Sequence, residues 1–150
     1  MKTFSFFVVA SALLCTATVF ADDEANLNRV LGSLNARANL PDGKNYVMAT
    51  VSRETKVPIK TLAAEQSQTG FGFGELFAAH TIAAAGGKSF QEIAALRLKQ
   101  RKNWSQISQQ LNVDITMVTK KARQADMVVD YAYNRSTNRP NSNINMLRDA

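Results

Sequence analysis

In 150 residues the chain has one cysteine, Cys15, one histidine, His80, one tryptophan, Trp104, and three prolines. Each scarcity removes a class of explanation. Cys15 sits in an N-terminal apolar stretch with the marks of an export leader, so a processed chain has no thiol. That excludes disulfides, cysteine nucleophiles and cysteine metal sites. Lipid attachment at Cys15 wants a small residue just before it, and Leu14 stands there. A lone histidine, with Glu75 five residues away and no second histidine, builds no metal site; a partly buried, hydrogen-bonded His80 is the reading its apolar surroundings favour. It also leaves no serine–histidine–acid trio. Glu54, Glu65, Glu75 and Glu92 are scattered singly rather than paired as a glycosidase needs them. Long apolar runs are missing too. Phe4 to Leu14 is interrupted at Thr16 and Thr18 before it reaches the length of a membrane span.

That short run reads as a signal peptide. Lys2 gives the positive start, Phe4 to Leu14 the apolar segment, and Val19-Phe20-Ala21 the small residues a signal peptidase requires ahead of Asp22-Asp23-Glu24. Cleavage after Ala21 is expected, leaving 129 residues secreted or periplasmic in a bacterium, enough for one domain with a modest core. The net charge falls from +6 to +5, because Lys2 leaves with the leader and every acid stays.

Alanine, leucine, glutamine and lysine are plentiful and no long β-branched alternation occurs, so an all-α fold is expected. Leu27, Val30, Leu31 and Leu34 follow the i, i+3, i+4, i+7 rule and predict an amphipathic leading helix over about 25–38. Leu40 to Lys44 reads as a turn. Three segments then align without gaps. Val51, Ile82 and Ile107 are each followed seven residues later by Pro58, Ser89 and Asp114, which suit helix starts. Ile59 and Leu62, Phe90 and Ile93, and Ile115 and Val118 come next, apolar and three apart on one helix face. The pattern predicts three helix-turn-helix-like hairpins, with helices near 45–55, 58–68, 74–85, 90–101, 104–111 and 115–131. The single domain is expected to span 22–133. From Asn134 onward, five asparagines and Pro140 predict a flexible Asn-rich tail over 134–150.

The runs Gly70-Phe71-Gly72-Phe73-Gly74-Glu75-Leu76, Gly87-Lys88-Ser89-Phe90-Gln91-Glu92-Ile93 and Trp104-Ser105-Gln106-Ile107 resemble a group of small secreted bacterial helical proteins of uncharacterised function. The likeness covers about 46–123. It departs from that group's pattern at Asn103, Ser105 and Asn112, where the pattern favours glycine. The resemblance implies an exported helical protein and carries no activity, cofactor or catalytic residue.

The chemistry-bearing signals are few. Between Arg97 and Arg123 lie seven basic residues, Arg97, Lys99, Arg101, Lys102, Lys120, Lys121 and Arg123, against one acid, Asp114. They form a candidate polyanion-binding face for nucleic acid, anionic lipid or glycan, beside the plainer reading of a solvated surface. Trp104, next to Arg101 and Lys102, is a candidate for stacking on a sugar or base, beside its reading as a core anchor. Residues 104–123 also have the spacing of a DNA-reading helix pair, which export argues against. Gly70 to Gly74 is expected to be a closely packed link with Phe71 and Phe73 docked inward. Gly87-Lys88-Ser89 is no phosphate loop, because Ile82 stands where the first glycine is required. The sequence therefore favours a non-enzymatic exported interaction protein with an unidentified protein or envelope partner. A polyanion-binding module is the alternative and a small cell-wall-active enzyme the third. No cofactor or metal is implied.

Overall fold

The computed structural model describes residues 17–137, with side chains from Asp22 onward; Cys15, most of the expected leader and 138–150 lie outside the described residues. Seven helices and no strands occur among them: α1 (Ala17–Ala38), α2 (Gly43–Thr55), α3 (Ile59–Thr69), α4 (Phe73–Gly86), α5 (Phe90–Leu98), α6 (Trp104–Gln110) and α7 (Ile115–Thr137). The fold is all-α. Among the described residues no helix is long and apolar enough to cross a membrane.

Local chemistry explains most boundaries. Ser89 accepts from the Glu92 amide at 3.3 Å while its own amide donates to the Glu92 carboxylate at 2.8 Å, a reciprocal cap that starts α5. Asn103 and Gln106 do the same for α6. The Asp114 carboxylate accepts from the Thr116 amide at 2.8 Å, at the start of α7. Gly70 and Gly87 end α3 and α4 in the left-handed region, at φ 72° and 63°. Gly74 serves close approach instead: a methyl group there would lie 2.3 Å from the Leu31 carbonyl oxygen of α1.

The core is one cluster. Leu27, Leu31 and Leu34 of α1, Val47 and Val51 of α2, Leu76, Phe77 and Ile82 of α4, and Val118, Ala122, Ala125 and Val129 of α7 are all buried in it. The most extensive packing joins the two longest helices, α1 and α7, with α4 and α2 lying against both. Consecutive helices α2–α3, α4–α5 and α6–α7 also touch, as chain neighbours. Each fully buried aliphatic side chain contributes about 1.5–3 kcal/mol through its removal from water. An ionic clamp fixes the α1–α7 pair. Arg37 donates through Nε to Asp126 at 2.7 Å and through Nη1 to Asp130 at 2.6 Å, and Ser33 donates to Asp126 at 2.9 Å. Burial alone would lower the Arg37 guanidinium; bonds to Asp126 and Asp130 outweigh it and hold it above its ordinary value.

Four expectations need correction. Of the aligned apolar positions, Ile59 is not buried: it is 47% exposed. As the first residue of α3 it lies at a helix end, outside the cover of α2 and α4. Helix α5 stops at Leu98 rather than near 101. Arg101 is at φ 54°, and the Lys102 amide closes the turn on the Leu96 carbonyl. Helix α7 runs to Thr137, so 134–137 of the expected tail are helical. Tyr133 packs edge-on against Tyr46 at 6.2 Å, and Ser136 and Thr137 donate to the Tyr133 carbonyl. At the other end, α1 starts well before residue 25, its backbone helical from Ala17.

Candidate functional site

The lone histidine is a tightly held titratable side chain. His80 of α4 shares a hydrogen bond through Nε2 with Oε2 of Glu65 on α3 at 2.6 Å, and both side chains are about nine-tenths buried. Its ring stacks on Phe90 of α5, with centroids 4.6 Å apart and planes 18° from parallel. The imidazole therefore ties three helices together and has little freedom to turn. The partly buried, hydrogen-bonded histidine read from the sequence is what stands here. Its partner is not Glu75, whose carboxylate accepts from Asn35 of α1 at 2.9 Å. Glu65 was missed, although one signal pointed to it: it lies three residues after Leu62, on the face that α3 buries.

His80 also lines a cleft of about 400 Å³. The end of α2 contributes Thr55 and Lys56, α4 contributes Phe77, His80 and Thr81, and α7 contributes Lys121 and Gln124. Glu54 stands at the same rim, but its carboxylate is engaged by Arg53 at 2.9 Å.

The seven candidate basic residues do not share one environment. Arg97 lies over the Trp104 ring, 5.0 Å from its centroid, and donates to the Lys102 carbonyl at 3.0 Å. Lys99 and Arg101 are exposed in the link after α5, and the Lys102 ammonium bonds to Gln110. Lys120 and Arg123 flank a groove between α1 and α7 that also contains Asp23. Lys121 faces the other way, into the His80 cleft. Trp104 is wholly buried, with Phe71 packed edge-on against it at 6.3 Å. Its ring is a core anchor and offers no open face for stacking on a sugar or base. Phe71 and Phe73 are both docked inward, as expected for the Gly70–Gly74 link.

Glu24 of α1 supplies a contact that nothing in the sequence spacing signals. Its carboxylate accepts from the Ser105 amide at 2.6 Å and the Trp104 amide at 3.3 Å, holding the first turn of α6 against α1 across about eighty residues of chain.

The outer side of α7 carries a second feature. Arg123, Met127, Tyr131 and Arg135 follow one another at four-residue spacing and are all exposed, Met127 by 63% and Tyr131 by 66%. Residues four apart line one inclined ridge of a helix. Twelve residues at 1.5 Å rise make that ridge about 18 Å long. Among the described residues no cluster of histidine, cysteine or acidic side chains could hold a metal ion. No protein-family model, curated protein or solved structure matches this chain.

Proposed function

We propose that this chain is a non-enzymatic binding protein, exported from the cytoplasm, that engages an acidic amphipathic partner surface through the outer face of α7. The observation that carries the reading is the ridge Arg123–Met127–Tyr131–Arg135. Arginine, methionine and tyrosine are types that protein interfaces favour, and large aromatic and arginine side chains dominate binding energy there. Two large apolar side chains left in water side by side gain most from a partner. The ridge is also cationic by construction. Asp126 and Asp130, the acids nearest it on α7, are drawn to Arg37 on α1. A partner with a central apolar patch flanked by carboxylates complements it. Export rests on the N-terminal pattern of Lys2, the apolar run and Ala21.

The test uses a synthetic amphipathic helix bearing leucines flanked by glutamates, titrated into the 15N-labelled protein. Resonance shifts should concentrate at Met127 and Tyr131, and substituting both by alanine should weaken binding by about a hundredfold, the loss of two anchor side chains. Shifts elsewhere, or unchanged affinity in the double variant, would refute the reading. Salt-sensitive binding of random-sequence DNA that depends on Lys120, Lys121 and Arg123 but not on Tyr131 would favour the polyanion module instead.

A further inference from the structure

We propose that the cleft among α2, α4 and α7 binds a small organic monocarboxylate carrying a short apolar chain. The inference concerns a different flank of α7 from the interaction ridge and does not depend on it. Four features point to this ligand class. First, two lysines, Lys56 and Lys121, line the cleft from different elements, and among the described residues neither has an ion-pair partner. The rim acid, Glu54, is occupied by Arg53. The cleft therefore offers positive charge to an incoming anion.

Second, Thr81 lines the cleft at 8% exposure, and among the described residues no hydrogen bond ties its hydroxyl back to the protein. Threonines inside helices usually donate to the carbonyl four residues earlier, as Thr119 does to Ile115 here at 2.9 Å. The Thr81 hydroxyl, left without such a bond at the cleft wall, can donate to a ligand there. Third, Phe77, Ala84 and Ala85 add apolar surface to a wall shared with Thr55 and Gln124, a place for a short alkyl chain. The cleft is large enough to admit a molecule of that size. The buried Glu65 beside His80 disfavours a doubly charged phosphate and leaves a single negative charge as the better match.

Fourth, Lys56 sits at φ 60°, the left-handed conformation that closes α2. The equivalent positions after α3 and α4 are Gly70 and Gly87, which adopt it without penalty. A lysine kept where glycine would be more comfortable is backbone strain stored beside a cavity. Its side chain is what glycine could not supply.

The experiment titrates hexanoate into the 15N-labelled full chain at pH 7 and follows the amides of Thr81, His80 and Gln124. Saturable shifts are expected there, with hexylamine and inorganic phosphate binding at least about tenfold more weakly, the cost of a missing charge-assisted contact. Lys121→Gln should weaken hexanoate by about tenfold on the same argument. Lys56→Gly is the decisive variant, because it should raise the melting temperature by relieving strain while weakening hexanoate to a similar degree. Absence of saturable shifts at these amides overturns the proposal. So does hexylamine binding as well as hexanoate, or full affinity in both lysine variants.

Discussion

Replacing Arg37 by alanine tests the packing logic of the whole bundle, because one side chain closes its most extensive helix pair. The guanidinium makes two charge-assisted bonds, of 2.7 Å to Asp126 and 2.6 Å to Asp130. Arg37 and Asp126 side chains are only 25% and 20% exposed, whereas Asp130 is 47% exposed. The Asp126 bond therefore lies toward the buried end of the scale for charged partners, about 1.5–3 kcal/mol. The Asp130 bond resembles a surface pair and adds about half a kcal/mol. Removing the arginine also leaves Asp126 and Asp130 as like charges four apart on α7, a further few tenths of a kcal/mol. The sum is about 2–4 kcal/mol, or roughly 6–14 °C in melting temperature for a domain of this size.

Thermal and urea unfolding of Arg37→Ala should show that loss, with Arg37→Lys intermediate because a point charge cannot serve two carboxylates through a fixed fork. Arg53→Ala, which breaks an exposed pair between side chains 60% and 40% exposed, should change stability by less than about half a kcal/mol. Since the folded guanidinium lies above its ordinary, already strongly basic value, its contribution is complete at every pH below that ordinary value and is lost only as pH rises beyond it. Equal destabilisation by Arg37→Ala and Arg53→Ala would refute the clamp.

Ile107→Ala should cost about 2–5 kcal/mol because Ile107 is wholly buried, while Lys120→Ala on the exposed side of α7 should stay within about half a kcal/mol; chemical denaturation compares them directly. Among the described residues the Ser108 hydroxyl is buried with no hydrogen-bond partner, so Ser108→Ala should be neutral or stabilising by up to about 1 kcal/mol in the same assay. The Glu92 carboxyl is held down from 4.5 to about 2, first by the Ser89 amide, then by the Ser89 hydroxyl and Lys88. A depressed carboxyl stabilises the fold above its unfolded value and loses that contribution as pH falls from 4.5 toward 2, so Glu92→Gln should flatten the acid limb of the stability profile. Gly74→Ala should lower the melting temperature sharply, because the new methyl group meets the rigid Leu31 backbone and one of the two helices must move.

The helices were legible because the sequence states them twice, once in apolar spacing and once in cap chemistry. Ser89 and Asp114 mark helix starts, and Ile82, Ile93, Ile107 and Val118 are fully buried where the spacing puts them. What failed was whatever depends on a distant partner. The sequence from Asn134 looks like a loose tail, but the helix runs on beside α2, where Tyr46, far away in the chain, packs against Tyr133. Trp104 was legible as a core anchor, and it is wholly buried; the other reading, an aromatic beside Arg101 and Lys102 open to stacking, is the one that failed. That burial comes from Phe71 and from Arg97 folding back across the Trp104 ring. The basic run reads as one face on paper because sequence order hides direction. Lys120 and Lys121 are consecutive, about 100° apart on a helix, and they enter different grooves. The His80–Glu65 pair was half legible. The histidine's apolar setting announced burial, but choosing its acid required knowing that α3 turns the Leu62 side inward.

Helix α7 carries several jobs at once, and its angular order keeps them apart. Val118, Ala122, Ala125 and Val129 form the buried stripe. Asp126 and Asp130 lie on one flank, held by Arg37; Lys121 and Gln124 lie on the other, in the cleft; the arginine–methionine–tyrosine ridge lies opposite the core. A rotation of the helix by one residue, about 100°, would swing a ridge side chain toward the core and a buried one into water. The buried stripe resists that rotation by lost apolar burial, but two of its side chains, Ala122 and Ala125, are small knobs. The Arg37 clamp supplies directional restraint that small side chains cannot. It therefore sets the register on which both proposed surfaces depend. An Arg37 variant that remains folded should weaken the peptide and hexanoate sites together, whereas Tyr131→Ala and Lys121→Gln should each affect only their own.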